Sequence, residues 1–140
     1  MLHLFIATPV KIIYDGPVES LLVPGSGGYF QVLKNHTPII AAVTAGKLEV
    51  IDAKGARLTW AISGGLAEVF HNEATVLGDS IELASEIDVK HAEKSLKMAQ
   101  KVLDDSQDEE QKSIARKELK RARNRLKIAH EIKKSNRSGN

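Results

Sequence analysis

The 140-residue chain contains no cysteine. This excludes a disulfide framework and thiolate metal sites, leaves stability to packing, and fits a reducing compartment. Aromatic residues make up 4% of it, with none in the last fifty-five positions, so base-stacking platforms of the single-strand binders are missing. No apolar run approaches the roughly 20 residues that span a bilayer. The apolar start, Met1 to Pro9, is short and lacks the basic flank of a secretory signal. The expectation is a soluble chain, or one held at a membrane through something else. Five histidines (His3, His36, His71, His91, His130) are scattered without H-x-x-x-H or H-E-x-x-H spacing, so no metal site is expected. The nucleophile-elbow pattern G-x-S-x-G is absent. Pro24-Gly25-Ser26-Gly27-Gly28 is not followed by the Lys-Ser/Thr of a phosphate-binding loop and reads as a turn. These absences point away from an enzyme and from a cofactor.

What is present divides into two. Residues 1–85 carry five Lys/Arg and eight Asp/Glu, whereas residues 86–140 carry fifteen and ten. Between Lys112 and Lys134 there are ten basic and two acidic residues, a pattern suited to an acidic partner. The first part is punctuated by Gly and Pro about every ten residues, with short, partly alternating β-branched runs between. These predict strands near 2–7, 11–14, 18–23, 29–32, 37–42, 46–51, 57–62, 66–70 and 73–77. Strands so short and so evenly spaced indicate an all-β sandwich or flattened barrel. Asp52-Ala-Lys-Gly55 and Phe70-His-Asn-Glu73 read as hairpin turns, because Gly and Asn tolerate positive φ.

The second part reads as an antiparallel αα-hairpin over 86–134, with 135–140 as a disordered tail. Asp88 is placed to cap a helix from Val89. Val89, Ala92, Leu96, Ala99 and Leu103 form one stripe at steps of three and four; Ala115, Leu119, Ala122, Leu126 and Ala129 form another. Ser106 and Glu109 are expected to form a capping box opening the second helix. Both stripes are largely alanine and leucine. Burial of Leu contributes roughly 1.5–3 kcal/mol, that of Ala much less, against about 1–2 kcal/mol for ordering each residue. The hairpin is therefore expected to be marginal by itself.

Several segments in order carry a resemblance: Thr8-Pro9, Tyr14-Asp15-Gly16-Pro17-Val18-Glu19-Ser20, Val23-Pro24-Gly25-Ser26-Gly27-Gly28, Phe30-Gln31-Val32-Leu33-Lys34-Asn35-His36-Thr37-Pro38, Ile62-Ser63-Gly64-Gly65-Leu66-Ala67-Glu68-Val69, Val76-Leu77-Gly78-Asp79 and Glu86-Ile87-Asp88. Together they resemble the epsilon subunit of the F-type ATP synthase, in its bacterial and chloroplast forms, over essentially the whole chain. The resemblance implies a sandwich of about ten strands followed by an αα-hairpin. It implies a non-catalytic rotor subunit whose β-domain (1–85) attaches to the gamma subunit and the proton-carrying membrane ring. Such a subunit couples proton flow to ATP synthesis at the cytoplasmic face of a bacterial plasma membrane, or the stromal face of a thylakoid. Its hairpin would lie folded or extend towards the catalytic beta subunits and inhibit ATP hydrolysis, with a basic face (Arg116, Lys120, Arg123) meeting acidic surface there.

Individual positions match the family unevenly. His36, in the Asn-His-Thr-Pro loop, matches a position near the gamma and ring contact. Tyr29 stands where an acidic ring contact is common. Some bacterial members hold ATP as a regulatory ligand through I-D-x-x-R-A, an upstream Glu and arginines on the second helix. Here Glu82, Asp88, Ala92, Arg121 and Arg125 match, while His91 and Ile114 replace arginines, which weakens the expected grip on phosphate. The alternative reading is a nucleic-acid-binding module built on the basic helix, although the acidic β-domain and the scarcity of aromatics fit it poorly and no nucleic acid is expected as partner.

Overall fold

The computed structural model describes the backbone of residues 1–138 and the side chains of residues 1–134. Among the described residues there are nine strands: β1 (Leu2–Ala7), β2 (Ile12–Gly25), β3 (Gly28–Leu33), β4 (Ile39–Val43), β5 (Gly46–Asp52), β6 (Arg57–Ile62), β7 (Gly65–Phe70), β8 (Glu73–Gly78) and β9 (Ile81–Leu83). A 3₁₀ turn (Ala84–Glu86) leads into α1 (Val89–Asp105) and α2 (Glu109–Ser138). The chain separates into two compact units, Met1–Leu83 and Ala84–Asn140.

In the first unit β2 organises everything. Its leading half pairs antiparallel with β1, from Ile12 opposite Ala7 to Val18 opposite Leu2. Beyond an irregularity near Glu19 its trailing half pairs with β3 on one side and β5 on the other. The ladder then runs from β1 through β8, β7 and β4 back to β2, and from β5 through β6 to β9. One long strand thus belongs to both layers, which suits a closed sandwich because it leaves few exposed edges. Expecting separate strands at 11–14 and 18–23 is corrected here. Pro17 does not interrupt, since its fixed φ near −65° is compatible with extended backbone, and it pairs with His3. The three-residue β9 was not expected; it is too short to show a period.

Alternation then builds the core. Leu2, Leu4 and Ile6 of β1, Leu48 and Val50 of β5, and Ala74 and Val76 of β8 are buried at every second position. They join Val18, Leu21, Val23, Val32, Ile62 and Val69 in one cluster. The expected turns are present. Asp52 Oδ1 accepts from the amides of Lys54 and Ala56, with Gly55 at φ 85°. His71 and Asn72 take φ of 50° and 62° between β7 and β8, a two-residue turn whose twist matches the strands.

In the second unit Asp88 caps α1 as expected, its Oδ1 accepting from the amide of His91 at 3.0 Å. The seam holds Ala99, Ala115 and Leu119, with Leu96 and Leu103 packed beside them. The capping box is corrected. The second helix is capped by Asp108, whose carbonyl accepts from Lys112 and whose Oδ1 accepts from Glu110. Ser106 instead ends α1 and supports the connection, accepting from Asp108 N and donating to Gln111. Two cap-forming residues stand two positions apart, and the one adjoining the helix prevails. The disordered tail is corrected for 135–138, where α2 continues to Ser138. No Gly or Pro interrupts the run before Gly139, so helix propagation has no local reason to stop. Residues 139–140 lie outside the described residues.

Candidate functional site

The expected contact residues of the β-unit lie apart. Tyr29 is the second residue of β3, and its phenol oxygen accepts from the Lys47 amide at 3.0 Å, tying β3 to the start of β5. A Cβ on Gly46 would stand 2.7 Å from that oxygen, so glycine is what admits the ring. Tyr29 nevertheless remains 54% exposed. His36 lies past the other end of β3, more than about 13 Å of strand away. Its amide donates to Leu33 O, and Nδ1 lies 2.6 Å from Thr37 O. A carbonyl only accepts, so that contact places the ring proton on Nδ1. Beside it, Asn35 (φ 67°) donates its amide to Asn72 Oδ1, and Asn72 Nδ2 donates back to Asn35 Oδ1. His3 N donates to Asn72 O. His36 is therefore part of a loop pinned to the β7–β8 turn.

A second feature of this unit escaped the sequence reading. Strand register aligns Ala42 with Leu66, Leu66 with Leu77, Leu77 with Ala7, and Ala7 with Ile12. Of these, Leu66, Leu77 and Ile12 are exposed by 44, 46 and 63%. Ile40, one row away on β4, is 72% exposed, and Val10 at the β1–β2 turn is 88% exposed. Exposed aliphatic residues of β4, β7, β8 and β2 therefore share one row of an outer surface, with Ala7 of β1 buried within it. Contiguous patches of this kind mark interaction sites.

In the hairpin unit the antiparallel pairing brings His91 of α1 to Arg121 and Arg125 of α2. With Ser95, Glu118 and Ala122 they line a cavity of about 50 Å³. Arg125 is 9% exposed, and its Nη1 meets His91 Nδ1 at 3.2 Å. Asp88 and Ala92 flank the same turn of α1, while Glu82 sits on β9 opposite Ala61, in the other unit. A larger groove of about 360 Å³ lies between the helices nearer their connection, lined by Met98, Val102 and Ile114 over Ala99 and Ala115. The expected basic face is longer than the three residues first assigned. Arg116, Lys120 and Arg123 continue through Lys127, His130 and Lys134 at steps of three and four, all exposed. At 1.5 Å per residue this stripe is about 27 Å long. Arg116 also approaches Glu109 at 3.5 Å, an exposed pair of little energetic weight.

Among the described residues no group of three or more His, Asp or Glu is placed to hold a metal, and no helix is long and apolar enough to cross a membrane. Among the described residues, the one titration clearly displaced is that of Tyr14. Burial raises it, and the nearby Asp52 carboxylate adds to the effect.

Comparison with known proteins follows the same division. The family described as "ATP synthase, Delta/Epsilon chain, beta-sandwich domain" matches residues 1–84, and "ATP synthase, Delta/Epsilon chain, long alpha-helix domain" matches residues 85–130. An ATP synthase epsilon chain of Protochlamydia amoebophila is 42% identical over 96 residues, 69% of this chain and 65% of the relative. A chloroplastic ATP synthase epsilon chain of Phalaenopsis aphrodite subsp. formosana is 36% identical over 125 residues, 89% of this chain and 92% of the relative. In fold, the chain is similar to one from the mitochondrial ATP synthase of Euglena gracilis, with TM-score 0.75 and 24% identity over 85% of this chain and 75% of that one.

Proposed function

The chain belongs to the ATP synthase delta/epsilon-chain family, and from that premise we propose that it is a non-catalytic central-stalk subunit of an F-type ATP synthase. In this reading the β-unit fastens the subunit to gamma and to the proton-carrying ring, and so takes part in coupling proton flow to ATP synthesis. The observation that carries the reading is the pairing of the two family matches, in order, with two compact units that divide at the same place in the chain. The exposed row of Ile12, Leu77 and Leu66, with Ile40 beside it, supplies apolar area of the kind that obligate subunit contacts bury. Tyr29 and His36 are contacts at the two ends of β3, the first offering an aromatic edge and the second a loop held rigid by Asn35 and Asn72. The site of action is the membrane face to which such an enzyme presents its stalk, bacterial cytoplasmic or thylakoid stromal.

The hairpin is the regulatory arm. Its stripe from Arg116 to Lys134 suits the acidic surface of a catalytic beta subunit in an extended state, where many weak charge pairs sum along a rigid helix. Opening the arm exposes a seam that is mostly alanine, so the conversion involves little loss of buried area. Nucleotide binding by the folded hairpin is the second reading, favoured by the convergence of His91, Arg121 and Arg125. Its cavity, about 50 Å³, is far below the roughly 300 Å³ of an ordinary ligand pocket, so a nucleotide held there would lie largely outside it.

The test is co-purification of the full chain with a gamma subunit, followed by ATP hydrolysis assays on the reconstituted head. The full chain is expected to lower hydrolysis, and a chain ending at Ser85 to bind gamma without doing so. Failure of the full chain to bind gamma would overturn the attachment; equal hydrolysis with both chains would overturn the regulatory arm.

A further inference from the structure

The contact between His91 and Arg125 joins the two helices of the hairpin at the end remote from their connection. A guanidinium has only donors, so at 3.2 Å from Arg125 Nη1 the His91 Nδ1 is the acceptor and the ring is neutral. Two further cationic features lie beside that ring. Arg121 lines the same cavity as Arg125. His91 is also the third residue of α1, counted from its Asp88 cap, where the positive end of the helix dipole disfavours a cation. Against these stand two carboxylates: Glu118 across the cavity, and Asp88 one turn back, whose Oδ1 is engaged by the His91 amide. Lys94, one turn ahead on α1, adds to the cationic side. Protonation thus removes the acceptor that Arg125 Nη1 meets and sets a cation against a guanidinium.

We propose that His91 makes closure of the hairpin proton-sensitive, its neutral ring seating Arg125 and holding α1 to α2, and its protonation releasing that end. The sign follows from the favoured form. Closure is strongest where the imidazole is neutral and weakens as pH falls through the range in which imidazoles gain a proton. Acidification would therefore favour an open arm.

The absence of cysteine makes the test direct. Spin labels at Lys94→Cys and Lys117→Cys in the full chain report the interhelical distance by pulsed resonance at pH 8 and pH 5.5. The open fraction is expected to rise roughly three- to tenfold on acidification, as contacts of this kind allow. His91→Gln keeps an acceptor that cannot be protonated and should abolish the response. His91→Arg fixes the charge and should be open at both values, with Trp60 fluorescence confirming that the β-unit is intact. A pH response in His91→Gln equal to that of the parent chain, or a His91→Arg hairpin as closed at pH 8 as the parent, would overturn the proposal.

Discussion

The two units solve the packing problem with different materials. The β-unit buries Leu, Ile and Val from every layer, twelve of them with under 2% exposure, and most strands have a neighbour on each side. The hairpin closes over Ala99, Ala115 and Leu119 with two half-buried leucines. Removing an alanine methyl from water yields much less than burying a branched side chain. The first unit is therefore expected to be the more stable, and the second the more easily opened. One substitution applied to both measures that difference. Leu48→Ala, at 0% exposure within the large cluster, is expected to cost about 3–5 kcal/mol, because a rigid sandwich cannot collapse into the void. Urea unfolding followed by Trp60 fluorescence reads it, since the single tryptophan is buried in β6. Leu119→Ala in the hairpin seam should cost about 2–3 kcal/mol, the low end for such a change. It should appear in helical circular dichroism with the Trp60 transition unmoved. Equal shifts of both signals would mean that the units unfold as one, and the comparison would fail.

A smaller effect sharpens the same contrast at a helix end. Asp88→Ala removes the cap of α1 and leaves the His91 amide without its 3.0 Å acceptor. The expected loss is about 1 kcal/mol, confined to the helical signal and accompanied by faster amide exchange in the first turn of α1. This cap was legible from the sequence because its physics is local: one carboxylate, one turn, one apolar stripe after it. The turns at Gly55 and Asn72 were legible for the same reason, each requiring a positive φ that few residues accept. Where two local signals competed, the reading failed, as when Ser106 and Asp108 both offered a cap.

Features that depend on register were not legible. Ile40, Leu66 and Leu77 are aliphatic and look like core, yet the strand order turns them outward, and the alternating partners Ala41, Ala67 and Val76 are of similar character. Polarity could not say which face was buried. Likewise His91 and Arg125 are 34 residues apart, and only the length of the connection between α1 and α2 sets them opposite one another. A histidine where the resemblance implies an arginine was visible in the sequence; that it meets a buried guanidinium was not.

The smallest expected effect lies at alkaline pH and belongs to the unit that acid should leave alone. Tyr14 donates its phenol proton to Pro17 O at 3.2 Å and meets Trp60 edge-on with ring centroids 6.0 Å apart. Burial and, secondarily, the Asp52 charge raise its titration above the ordinary tyrosine range. A phenol whose folded-state titration is raised favours the neutral form in the fold. Its contribution to stability is thus fully present below about pH 10, the unfolded value, and is lost as pH rises through the higher folded one. The β-unit should therefore weaken slightly in strong alkali, through a group that cannot donate to Pro17 once ionised. Tyr14→Phe should remove that part of the alkaline decline in the Trp60 transition while preserving the edge-on ring contact. A decline unchanged in Tyr14→Phe would place the alkaline sensitivity elsewhere. Acid loosening confined to the hairpin, with alkaline loosening confined to the sandwich, would show that the two units answer to different protons.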